Sequence, residues 1–141
     1  MMQQKVIVDT GPLVAFFNKN DSYHQWAKDK FVNFAPPIIT CESVISETCF
    51  LLQKYPNGVH NVFELIERKL ITLSFDLDLE LKSVKRLMSK YANIPMSLAD
   101  ACLVRLSEQI SESVVCTIDS DFRIYRKNKR DTIPVIMPND S

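Results

Sequence analysis

Lys5-Val6-Ile7-Val8-Asp9-Thr10-Gly11-Pro12-Leu13-Val14-Ala15-Phe16-Phe17 is a short β-branched run that stops at an acid and resumes, past a glycine and a proline, as an apolar segment. β-Branched residues favour a pleated strand, and Pro12 has the fixed φ suited to a first helical turn. The stretch therefore predicts a strand over 5–8 and a helix through Leu13 to Phe17. Asp9 stands where strand gives way to helix. Gly11 is the better-placed N-cap, although capping is also the plain structural explanation for Asp9 itself.

The alternation continues downstream. Asp21-Ser22 can cap a helix carrying Tyr23, Trp26, Ala27, Phe31 and Phe34, which Pro36-Pro37 ends. Ile38-Ile39 reads as a brief strand, and Thr40 as the cap of a helix with Val44, Ile45, Thr48 and Leu51-Leu52 on one face. Glu47 is embedded in that apolar helix. A helix through Val62 to Ile66, a strand from Leu70 to Phe75 and a helix from Leu81 to Tyr91 follow, broken at Ile94-Pro95. Ser97 opens another helix, Val114 to Ile118 reads as a strand ending at Asp119, and Ile133 to Met137 as a last edge strand.

Strands alternating with helices indicate an α/β fold with a mostly parallel sheet, in which ligands bind beyond the carboxyl ends of the strands. Two of those strands deliver an acid, Asp9 and Asp119, to the same rim. Each acid has a duller reading: Asp100 fits a capping box opened by Ser97, Glu47 suits a solvated helix position, and Asp119 and Asp121 are ordinary turn residues. Together they form an acidic cluster with no matching bases, and such a cluster suits a hard divalent cation that takes oxygen ligands.

Composition is that of an ordinary globular chain: 141 residues, 46% hydrophobic and 24% charged, with 17 basic and 17 acidic side chains. No repeat, low-complexity tract or polar linker divides it, so one domain over 1–141 is expected. The N-terminal apolar runs are short and interrupted, which fits neither a signal peptide nor a membrane span and points to the cytoplasm. Cys41, Cys49, Cys102 and Cys116 lack a C-x-x-C pair and lie in apolar stretches, as free buried thiols do. Net charge of zero does not announce a nucleic-acid binder. The distribution is more informative: Arg123, Tyr125, Arg126, Lys127, Lys129 and Arg130 crowd one segment, whose cations can hold phosphates while Tyr125 offers a stacking face, or which can be a solvated loop.

The ordered set of motifs resembles the PIN-domain nucleases, which include the VapC-type toxin ribonucleases of toxin–antitoxin pairs. Val6-Ile7-Val8-Asp9-Thr10 is similar to that family's opening strand, Ser46-Glu47 to its helical glutamate, Ile94 to Ala101 to its third-acid motif, and Thr117-Ile118-Asp119-Ser120-Asp121-Phe122 to its last. The resemblance implies a three-layer α/β/α domain and an endoribonuclease holding one or two magnesium or manganese ions. Asp9 and Asp100 would be the principal ligands, with Glu47 and Asp119 completing the set and Asp121 able to replace Asp119. Thr10 and Thr117 would orient carboxylates or water. It implies in-line hydrolysis of RNA that leaves a 5′ phosphate, with His24 and His60 outside the chemistry. It also implies a homodimer and a small antitoxin as partner.

Three rivals are weaker. An aspartyl-phosphate phosphatase wants a second aspartate two residues after Asp9, where Gly11 stands. A silent RNA- or protein-binding module would not be expected to keep all four acids. A phosphate-cradling nucleotide loop cannot be built from Gly11 and Gly58 alone.

Overall fold

A computed structural model describes residues 4–138. Its central sheet has five parallel strands, β1 (Lys5–Val8), β2 (Ile38–Thr40), β3 (Ile71–Leu73), β4 (Ser113–Cys116) and β7 (Val135–Ile136), in the order β3-β2-β1-β4-β7. Six helices flank it: α1 (Thr10–Phe17), α2 (His24–Phe31), α3 (Glu42–Leu52), α4 (Gly58–Glu67), α5 (Leu77–Lys90) and α6 (Leu98–Gln109). A separate antiparallel hairpin pairs β5 (Arg126–Lys127) with β6 (Asp131–Thr132).

The chain runs outward from β1 through β2 to β3, then crosses back to place β4 on the other side of β1. Parallel crossovers are almost always right-handed, so reversing direction moves the connecting helices to the opposite face. The contacts agree: α1 packs on α2 and α3, and α3 on α4, while α5 packs on α6, which also lies against β1 and β4. The result is the three-layer α/β/α arrangement, with its switch point between β1 and β4.

Strands buried on both faces are uniformly apolar rather than alternating. Val6, Ile7 and Val8 of β1 and all of β4 are buried accordingly. Leu13, Val44, Leu103, Val104 and Leu106 bring the helices onto this sheet. The four cysteines are free, three of them buried. No described helix is long and apolar enough to cross a membrane.

Several local expectations shift. Asp9, not Gly11, is the N-cap of α1, and helical geometry begins at Thr10. Thr40 belongs to β2, where its hydroxyl donates to Val8 O at 2.7 Å, and Cys41 takes the cap position of α3 without a side-chain bond. The α2 helix starts at His24 and ends at Phe31, before Phe34. The β5–β6 hairpin was not expected, because its two-residue strands are too short to carry a period.

Candidate active site

The register Val8↔Cys116 brings the ends of β1 and β4 side by side. Asp9 N–H donates to Cys116 O at 3.0 Å, which sets Asp9 beside Thr117. Thr117 Oγ1 donates to Asp9 Oδ2 at 2.7 Å and accepts from Asp119 N–H at 2.9 Å. Asp119 Oδ1 in turn accepts from Asp121 N–H at 2.9 Å, capping a 3-10 turn over Ser120–Arg123. One hydroxyl thus ties the two strand-end acids together.

Asp100 arrives from the opposite layer. Ser97 Oγ caps α6 by accepting from Asp100 N–H at 3.0 Å, which places the acid in the first helical turn. Its Oδ2 accepts from Tyr125 Oη at 2.9 Å. Glu47 is exposed on α3 and lies one turn before Leu51 on the same face.

These residues meet in one cleft of about 500 Å³, lined by Asp9, Thr10, Glu47, Asp100, Asp119 and Asp121, with Gly11, Leu51, Pro95, Ser97 and Ile118 between them. Five of its eleven lining residues are carboxylates and none is basic. The electrostatic consequence is visible at Asp9, only 8% exposed: burial, opposed by the Thr117 and Thr10 hydrogen bonds and reinforced by the charges of Asp100 and Asp119, raises its pKa to about 6. Asp100 is also raised, by burial first and by Asp119, against hydrogen bonds from Tyr125 and Ser97. Asp119 therefore acts on both buried acids, whereas Asp121 bears only on Tyr125.

A hard divalent cation fits this donor set in chemistry. The lining offers oxygen ligands alone, and Thr10 Oγ1 is buried with no hydrogen-bond partner. Among the described residues no three acids, histidines or cysteines are close enough to form a ready-made ligand cage. Magnesium is usually held by one or two carboxylates with water and substrate phosphate, so an open arrangement suits it.

Tyr125 requires a correction. The sequence offers it as a stacking face or as part of a solvated loop, but its ring is fully buried, edge-on to both Tyr91 and Phe122 at centroid distances of 5.1 and 5.2 Å. It cannot reach a base. Burial and the bond to Asp100 hold its phenol well above the ordinary range, so it remains a donor. Lys127 is likewise buried, in β5, and Arg126 Nη1 folds back onto the carbonyls of Arg123, Ile124 and Tyr125 at 2.8, 3.1 and 3.1 Å. Arg123, Lys129 and Arg130 are exposed. The three-residue spacing of Phe122 and Tyr125 was the signal available for a buried aromatic face. His24 Nδ1 lies 2.7 Å from Ala15 O and His60 sits beside Glu64; neither lines the cleft.

An open parallel sheet with acids converging at its switch point defines a class of α/β proteins that bind ligands at the strand ends. The chain belongs to the PIN domain family, which residues 6–128 match. The crystal structure of Mycobacterium tuberculosis VapC20, described as a toxin cleaving the sarcin-ricin loop, superposes with a TM-score of 0.73 at 19% identity, covering 83% of this chain and 92% of that one. At that identity the likeness is one of fold. No curated protein sequence matches the chain.

Proposed function

We propose that this chain is a metal-dependent endoribonuclease that hydrolyses RNA phosphodiesters in the cleft between β1, β4 and α6. The observation that carries the reading is the lining itself, five carboxylates drawn from four separated segments and no cation to neutralise them. Asp9 and Asp100 would hold magnesium or manganese, with Glu47 and Asp119 completing the set directly or through water. Asp119 is favoured over Asp121 because its charge bears on both buried acids. Such a cation, when bound, supplies positive charge that stabilises the phosphate during in-line displacement.

The chain's own groups prepare the site. Thr117 Oγ1 and Thr10 N–H, each 2.7 Å from one Asp9 oxygen, fix that carboxylate from both sides and leave each oxygen a further lone pair. Tyr125 fixes Asp100 through Oδ2, with Ser97 also bonding the carboxyl. With no histidine in the lining, these carboxylates are the groups placed to accept a proton from water.

The remaining features belong to the same proposal: one PIN-like domain over 1–141, action in the cytoplasm, a homodimer, and a role as toxin restrained by a small antitoxin protein. The likeness to VapC20, a toxin, supports the toxin reading by analogy of fold. Incubating pure protein with single-stranded and structured RNAs in magnesium, manganese or chelator tests the activity. Cutting that needs the metal and leaves 5′ phosphates is expected; no cutting by folded protein with any metal would refute it. Relief of growth arrest by co-expression of an adjacent small reading frame tests the toxin role separately.

A further inference from the structure

We propose that a basic groove between α5, the C-terminal end of α6 and the β5–β6 hairpin binds backbone phosphates of the RNA strand; the inference rests on the ribonuclease reading and adds a second contact site to it. Arg86 and Lys90 from α5 face Arg126 and Lys129 from the hairpin, with Glu108 the one acid in the lining. Four cations from segments about 40 residues apart in sequence thus converge in a chain whose overall charge is zero.

The groove's acid is already occupied. Glu108 Oε1 accepts from Arg105 Nη1 at 3.0 Å, and its Oε2 accepts from Asn128 N–H at 2.7 Å. It fixes the hairpin loop, and four lining cations against this one carboxylate leave the groove net positive. Lys90 Nζ donates to Lys129 O at 3.0 Å and fixes the other side of that loop. The three bonds of Arg126 use Nη1 alone.

The loop conformation is the second observation. Asn128 and Lys129 have φ of 51° and 77°. Asparagine tolerates this region, but a lysine there costs about 1 kcal/mol that glycine would avoid. The fold anchors the loop at Asn128 N–H and at Lys129 O and places Lys129 in a groove lined by three other cations. The tight β5–β6 connection requires positive φ, and its consequence here is to present Lys129 to the groove.

Reach is adequate. Glu108 follows Asp100 by eight residues in α6, about 12 Å along the helix axis at 1.5 Å per residue. That is roughly three to four phosphate spacings of a stacked strand. A strand whose scissile bond lies in the acidic cleft can therefore reach the groove within a few nucleotides.

The test measures binding of a fluorescent single-stranded RNA of roughly 12 nucleotides, the scale of one single-strand site, in chelator so that nothing is cut. The variants are Arg86→Gln with Lys129→Gly, and a control of equal charge change, Lys19→Gln with Lys28→Gln, on the exposed surface of other elements. At about 0.1 M salt each lost phosphate contact weakens single-strand binding about fivefold, so the groove variant should bind about 25-fold more weakly, with a salt slope smaller by about 1.4. Thermal stability should hold or rise, because Lys129→Gly relieves the backbone strain. Unchanged affinity and slope in the groove variant, an equal loss in the control, or groove-dependent binding of poly-glutamate in place of RNA would each overturn the proposal. Binding is read without turnover, so metal-dependent cutting that persists with no groove effect sinks the groove alone. Groove-dependent binding by a protein that never cuts sustains the groove and sinks the hydrolytic reading.

Discussion

Replacing Asp9 with asparagine should stabilise the metal-free protein at pH 8. The folded carboxyl has its pKa raised from 3.8 to about 6, so its charged form is disfavoured by about 2 units relative to the unfolded chain. At 1.36 kcal/mol per unit this opposes folding by about 3 kcal/mol once Asp9 is ionised. Asparagine has no charge to bury, but its one carbonyl oxygen cannot accept from both Thr10 N–H and Thr117 Oγ1. Losing one such bond costs about 1 kcal/mol, which leaves a net gain near 2 kcal/mol. For a chain of this length that is a rise in Tm of roughly 4–8 °C. The sign of the pH dependence follows from the raised pKa. Between about pH 4 and 6 the folded state binds more protons than the unfolded one, so the wild type loses this stability as pH rises and none further above 6. The Asn variant lacks that loss, so near pH 4 its advantage should reverse to a deficit of about 1 kcal/mol, the lost hydrogen bond. Calorimetric unfolding of both proteins in chelator across this range checks it; a variant no more stable than wild type at pH 8 would refute the assignment of Asp9 as a buried, repelled carboxylate.

Three other outcomes are expected. Manganese or magnesium at about 100 times its dissociation constant should stabilise the wild type by about 2.7 kcal/mol and Asp9→Asn far less, and chelator should reverse it, as melting curves will show. Tyr125→Phe removes the donor to Asp100 Oδ2 and should slow RNA cutting about tenfold, the worth of one hydrogen bond of about 1.4 kcal/mol; an unchanged single-turnover rate would dismiss Tyr125 as a positioning residue. Gly58→Ala would drive a methyl into the Leu52 carbonyl oxygen, a clash with backbone that should cost more than about 2 kcal/mol in denaturant unfolding.

The parts of the molecule legible in sequence are those where composition and period speak together. Val6 to Val8 and Val114 to Cys116 read as buried strands because both faces are apolar, and Pro12 marks the start of a helix, so Asp9 and Asp119 could be placed at one rim. Asp100 could be placed at a helix start from Ser97. Which acids face one another depends on the β1–β4 register, a long-range pairing that local pattern does not carry. The basic segment is legible only in part for a related reason. Its cations suggest a phosphate contact or a solvated loop, yet Phe122 and Tyr125 point inward, Lys127 is covered within the hairpin, and Arg126 secures a turn. The groove was invisible because half of it comes from α5. Thr40 reads as a helix cap from sequence, but its bond to Val8 O holds it in β2, a long-range contact that local pattern does not carry.

The most direct measurement is the single-turnover rate of RNA cleavage by wild type, Asp9→Asn and Asp100→Asn in manganese, with folding of each verified by circular dichroism. The account predicts metal-dependent cutting by the wild type and a loss of at least about 100-fold in both variants, the scale of removing one charge-stabilising group. Wild-type rates in either folded variant would place the chemistry outside the β1–β4 cleft.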